Sequence, residues 1–192
     1  MARKPRQISQ SGFYHLMCRG VNKKKLFHRA EDYEYFKDLL LEYTRKLGIS
    51  IFHYCFMTNH IHLLLHADEI KALSMLGHFI QRRYAYYYCK THAWSEQVFR
   101  GRFLSIPIER DSYLLECGRY IERNPLEAAL ATEPGGYPYS SYPYYAMSQA
   151  DPLLTENPLY VSMGNSRRER MAAYRFYVTQ PRDNEIHINA TL

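Results

Sequence analysis

The sequence predicts an α+β fold of the ferredoxin-like β-α-β-β-α-β type, an antiparallel sheet with one helix added after the fourth strand. Three observations predict it. Apolar residues recur at helical spacing over residues 32–46 and 70–90. Short β-branched and aromatic runs at 13–18, 49–56, 61–65 and 103–108 have the length and composition of strands. The middle two runs are separated by Met57-Thr58-Asn59, a turn short enough for a hairpin.

In order, Phe13-Tyr14-His15-Leu16-Met17-Cys18 is the first strand, closed by Arg19-Gly20 and a basic loop at 21–25. Tyr35, Phe36, Leu39, Leu40 and Tyr43 make the apolar face of helix 32–46, and Gly48 ends it. Leu73, Leu76, Phe79, Ile80 and Tyr84 do the same for helix 70–90, leaving Arg82, Arg83 and Lys90 for a polyanion. Pro107 assigns the fourth run to a sheet edge or a strand end. Asp111-Ser112 can cap the added helix, 113–123, which is expected to stop where Asn124 meets Pro125. Residues 134–145, dense in Gly, Pro, Ser and Tyr, read as an irregular surface segment that could lie over the sheet or the site. A last helix at 167–178 precedes a polar tail expected to be loose at its end. There is no internal repeat. Residues 1–150 are assigned to the main domain and 151–192 to a C-terminal helical extension of the same domain.

A chain of 192 residues is long enough for one domain with a full core. Its net charge of +6 and pI near 9.1 leave a basic surface, concentrated in Arg3, Lys4, Arg6, Arg19, Lys23, Lys24 and Lys25. Such clusters suit nucleic acid, although a merely soluble basic protein has the same composition. The 19 tyrosines offer stacking faces for unpaired bases as well as ordinary packing. Cys18, Cys55, Cys89 and Cys117 have no Cys-x-x-Cys spacing, which argues against a zinc knuckle or redox pair and for reduced, buried thiols. No apolar run resembles a signal peptide or reaches bilayer length, so a soluble cytoplasmic protein is expected.

The chemistry centres on the stretch at 54–66. In a strand, His60 and His62 project from one face with Cβ atoms roughly 6 to 7 Å apart, so they can grip one cation. By itself a His-x-His in a strand is more often two solvated or internally bonded histidines, and a partner is needed. The added helix offers one: Tyr113, Cys117, Tyr120 and Asn124 fall on a single face. Two imidazole nitrogens and one amide oxygen leave coordination positions open for phosphate oxygens or water, the layout of a catalytic site.

With these residues in view, the chain resembles the REP-associated tyrosine transposases, a branch of the single-tyrosine HUH transposases that act on single-stranded DNA. The resemblance is carried by Phe27-His28-Arg29-Ala30-Glu31-Asp32-Tyr33, by Met57-Thr58-Asn59-His60-Ile61-His62 within 54–65, and by Gly101-Arg102-Phe103. It continues through Tyr120-Ile121-Glu122-Arg123-Asn124-Pro125, Tyr137-Pro138-Tyr139-Ser140-Ser141-Tyr142 and Arg167-Arg168-Glu169-Arg170-Met171-Ala172-Ala173-Tyr174. Thr58 stands where the family often has Pro, and Tyr139 where it often has Trp.

The resemblance implies that His60 and His62 bind a divalent ion, Mg²⁺ or Mn²⁺, that Asn124 completes the protein ligands, and that Tyr120 is the nucleophile. It implies a single-stranded DNA endonuclease and strand transferase acting on hairpin-forming palindromes through a 5′-phosphotyrosine intermediate. Tyr113, on the same helix face, is the competing nucleophile. His53 and His66 are expected to be structural or DNA-adjacent, and His15 could approach the site from the first strand. Arg19, Lys23, Lys24, Lys25, Arg100 and Arg102 are candidate phosphate contacts, with solvated charged loops as the alternative. A monomer acting in cis is expected, with a homodimer as the alternative. Two other functions remain open: a single-stranded nucleic-acid-binding module of the same fold without chemistry, and a metal hydrolase using water in place of Tyr120.

Overall fold

The computed structural model describes residues 6–180, so Arg3, Lys4 and the tail beyond residue 180 lie outside the described residues. Four strands, β1 (Phe13–Arg19), β2 (Ser50–Phe56), β3 (His60–His66) and β4 (Leu104–Ile108), form one sheet in the order β2-β3-β1-β4. Every pairing is antiparallel, as the ferredoxin-like expectation requires. β4 is an edge strand, where Pro107 removes no ladder donor that the sheet needs.

Two helices, α1 (Ala30–Leu47) and α2 (Ile70–Thr91), cover one face of the sheet. Leu39, Leu40, Leu73, Leu76 and Ile80 meet Leu16, Ile51, Leu63 and Leu65 there, and Phe27, Phe36, Phe56 and Tyr84 form a ring cluster at one end. α1 starts two residues earlier than the apolar period indicated. Asp32 accepts the His28 and Arg29 backbone N–H groups at 2.8 and 3.1 Å and so nucleates the first turn. Gly48 ends the helix in the left-handed conformation, φ 64°.

The opposite face is covered by α3 (Asp111–Glu127), whose Leu114, Cys117 and Ile121 pack on Phe52, Cys55 and Leu64. Two expectations about this helix are corrected. Asp111 lies inside the first turn instead of capping it, where its charge suits the helix dipole. The helix also does not stop at Asn124 but runs through Pro125 to Glu127. Proline has no N–H to give the Ile121 carbonyl, and the Asn124 side-chain amide supplies a substitute, standing 3.4 Å from that carbonyl and donating at 2.8 Å to Tyr120 O.

The segment expected to be irregular is partly ordered as α4 (Tyr142–Ala146), and the residues before it lie along β2. Phe56 N donates to Tyr139 O and Ser141 N to Tyr54 O, both at 2.9 Å, so the free edge of β2 is covered. A short α5 (Pro158–Val161) and α6 (Arg167–Thr179) come next, burying Tyr160, Tyr174 and Val178 against Tyr142 and Tyr145.

These layers meet at a buried carboxylate. Glu122 of α3 lies 2.9 Å from His53 Nδ1 of β2, accepts from Ser141 Oγ at 2.6 Å, and accepts from Tyr174 Oη of α6 at 2.7 Å. Asn157 Nδ2 meets the far edge of His53 at 3.0 Å, and Gly118 leaves no side chain where that imidazole lies against α3. Tyr174→Phe, which strips one donor from Glu122, is expected to lower the unfolding free energy by roughly 1–3 kcal/mol. Glu122→Leu should cost more, because it takes the shared acceptor from His53 Nδ1, Ser141 and Tyr174 together. Urea denaturation of both variants measures this, and unchanged midpoints would remove the network from the account.

Candidate active site

His60 opens β3 and His62 comes two residues later, so both side chains project toward α3. Their ring centroids are 5.0 Å apart. Across the sheet, β1 pairs Met17 with His62 and His15 with Leu64, which makes His15 the diagonal neighbour of His62. His15 Nε2 lies 3.0 Å from His62 Nδ1, both rings fully buried. Tyr120 of α3 meets this pair edge-on, its ring centroid 5.6 Å from His62 and 5.9 Å from His15. The structure brings His60, His62, Tyr120 and Asn124 to one place, and His15 joins them.

Hydrogen bonding decides which atoms face outward. His60 Nδ1 lies 2.7 Å from Asn59 Oδ1, while Asn59 Nδ2 donates to Lys23 O at 3.3 Å. That orients the amide, so His60 Nδ1 is the donor and its Nε2 is bare. The His60 imidazole also meets the Asn124 side chain. Because Asn124 Nδ2 is committed to the Tyr120 and Ile121 carbonyls, its oxygen is the atom left for His60. His62 Nε2 is buried with no hydrogen-bond partner among the described residues.

Burial pushes the His15 pKa down to about 3 and that of His62 well below its usual value, with the neighbouring imidazoles adding to the effect on His62. Burial lowers His60 too, opposed by the contact with Asn124. All three rings are neutral at physiological pH, the form in which imidazole binds metals. Two imidazole nitrogens and one amide oxygen fit a divalent cation with several positions open. Among the described residues no group of three His, Cys, Asp or Glu could hold a metal ion.

The candidate phosphate contacts divide. Arg19 is paired with His60 across β1 and β3, so its side chain stands on the site face, and Arg100 N donates to Arg19 O at 2.8 Å, which brings it to the same end of the sheet. Lys23 and Lys25 are exposed on the loop that Asn59 ties to the site. Lys24 is turned aside, its ammonium 3.0 Å from the Trp94 ring centroid. Arg102 lines a cleft with Gln81 and Arg82 on the α2 side of the sheet, the face away from Tyr120. Tyr113 packs in the apolar layer under α3, about 10 Å along the helix axis from Tyr120. His53 is a structural residue through its pairing with Glu122. Asn59 is the member of the site that residue spacing does not mark, although its place directly before the His-x-His is a usable signal.

Asn124→Ala is expected to act twice. It should weaken Mn²⁺ binding by roughly 10- to 100-fold, and it should cost about 1 kcal/mol of stability through the lost bonds beside Pro125. Isothermal titration and chemical denaturation read the two effects separately, and an unchanged Mn²⁺ affinity would take Asn124 out of the ligand set.

Residues 9–124 match the family model described as "Transposase IS200 like". Among solved structures, a REP-associated tyrosine transposase bound to a REP hairpin is similar with a TM-score of 0.64 at 14% identity, over 82% of this chain and 93% of that one. At that identity the likeness is one of fold. A Deinococcus radiodurans R1 protein described as a transposase is 20% identical over 64% of this chain and 97% of its own, with a TM-score of 0.44, too low to carry an argument. No curated protein matches the chain.

Proposed function

The chain belongs to the IS200-like transposase family, whose model spans more than half of it, and on that premise we propose that it is a metal-dependent single-stranded DNA endonuclease and strand transferase. The observation that carries this reading is the tyrosine ring of α3 packed on two buried histidines of its own sheet, one of them with an orphaned Nε2. His60, His62 and Asn124 would hold the cation.

When bound, Mg²⁺ or Mn²⁺ supplies Lewis-acid polarisation of a non-bridging phosphate oxygen. A phenol with a pKa near 10 is a poor nucleophile at neutral pH without such assistance. Tyr120 Oη bonds to phosphorus as the bond from phosphorus to O3′ breaks. The phenol gives up one proton and the departing O3′ gains one. The 5′ phosphate stays on Tyr120, and a 3′-hydroxyl from another strand can reverse the step and rejoin DNA without ATP. The chain has no Walker A or dinucleotide-binding glycine pattern, in keeping with such energy conservation.

The substrate in this reading is hairpin-forming palindromic DNA, supported by the basic end of the sheet at Arg19, Lys23 and Arg100 and by the hairpin on which the similar REP-associated transposase was solved. The reading takes the protein as a monomer acting in cis, with Tyr120 beside His15 and His62 of the same chain.

Incubation with Mn²⁺ and single-stranded hairpin DNA flanking the gene, followed by denaturing electrophoresis, tests the proposal. A covalent protein–DNA adduct is expected, lost in Tyr120→Phe, in His60→Ala and on addition of EDTA. Cleavage that persists in Tyr120→Phe would replace this mechanism with water-driven hydrolysis. Tight binding with neither adduct nor cleavage would make the protein a binding module.

A further inference from the structure

Resting on the reading of His60 and His62 as cation ligands, we propose that His15 is the positioning residue of His62, accepting its Nδ1–H so that the Nε2 edge is bare toward Asn124 and His60. The geometry already contains one such arrangement. Asn59 Oδ1 takes the Nδ1–H of His60 at 2.7 Å, and its own amide is oriented by Lys23 O and anchored by the bond from Gly20 N to Asn59 O at 2.9 Å. Among the described residues His62 has no comparable carbonyl or carboxylate, and its Nδ1 meets only His15 Nε2, at 3.0 Å, from the adjacent strand.

Two neutral rings share one proton across that contact. If His15 is the donor, His62 must carry its remaining proton on Nε2, and that edge cannot bind a cation. If His62 is the donor, its Nε2 is bare and the proton of His15 sits on Nδ1. In either state one N–H and one bare nitrogen are buried without partners, because His15 Nδ1 and His62 Nε2 both lack them among the described residues. Protein contacts therefore leave the two states close in energy, and a cation on Nε2 selects the second. A ligating imidazole ordinarily gives its other N–H to a carbonyl, carboxylate or water. Here a second histidine accepts it, held in place by β1 pairing and by the Tyr120 ring that touches both imidazoles.

This assignment gives His15 a role that packing alone does not. A phenylalanine would fill its volume between β1 and α3 but could accept nothing, and His62 would lose the acceptor for its Nδ1–H. A glutamine, whose Oε1 reaches about as far as imidazole Nε2, would keep the acceptor.

The test uses the full chain with ¹⁵N-labelled histidine and Mg²⁺, chosen because it is diamagnetic. Long-range ¹H–¹⁵N spectra are expected to show His62 and His15 both protonated on Nδ1 at saturating Mg²⁺, with the Nε2 signals of His60 and His62 shifted. His60 responding while His62 keeps its proton on Nε2 would overturn the role of His15 and leave the cation site standing. No response from either ring would remove the site and the inference together. In parallel, His15→Phe should weaken Mn²⁺ binding by roughly 10- to 100-fold and His15→Gln should restore most of it. Equal weakening in both variants would make His15 a packing residue. If His15→Phe fails to fold, the spectra of the unsubstituted protein still decide.

Discussion

A carboxylate placed where water cannot reach must have donors arranged around it before the chain can close, and Glu122 sets that requirement for this molecule. Its partners come from β2, from the turn before α4 and from α6. The first two fasten α3 to the sheet, and the third folds the C-terminal helix back onto it. Arg119 and Arg123 extend the same contact, donating to the Tyr177 and Val178 carbonyls at the end of α6. Glu122 and Tyr120 are two residues apart on α3, so the bonds that fix one fix the height and rotation of the other over His15 and His62. The segments from α4 to α6 thus act as a brace for the helix that carries the candidate nucleophile.

The site shows a second economy of polar groups. Pro125 would leave a helical carbonyl without a donor, and the Asn124 amide answers by turning its nitrogen back toward the helix, which presents its oxygen outward. The same side chain thereby repairs α3 and completes a cluster of acceptors with His60 and His62. Asn59 links this cluster to the basic loop, since one face of its amide receives His60 and the other gives to Lys23. His60 and the basic loop are for that reason mechanically connected.

How much of this was legible in the sequence depends on the range of each signal. Helical and strand periodicity is local, and the succession of strands and helices along the chain, with the added helix, was readable from it. That His60 and His62 share a face follows from a spacing of two in a strand, and that Tyr120 and Asn124 do from a spacing of four in a helix; the roles expected of them came from the resemblance to the single-tyrosine transposases. The contact between His15 and His62 was not readable, since it depends on the register of two strands 47 residues apart in sequence. Nor was the ring of donors around Glu122, which joins four segments by side chains that no period marks. The misjudged end of α3 has a different cause: the rule that proline ends a helix is sound locally, and here one neighbouring side chain outweighed it. The segment at 137–141 gave no periodic signal because it adds to the edge of β2 through its backbone.

The central claim is that α3, braced through Glu122, docks on its own sheet so that Tyr120 and the histidine pair of one chain form one site. Mixing Tyr120→Phe with His60→Ala tests this most directly, since each variant lacks a different half of the site. The account predicts that the mixture forms no DNA adduct, because neither chain can lend the other its missing part. Recovery of adduct in the mixture would contradict it and place the tyrosine helix of one chain on the sheet of another.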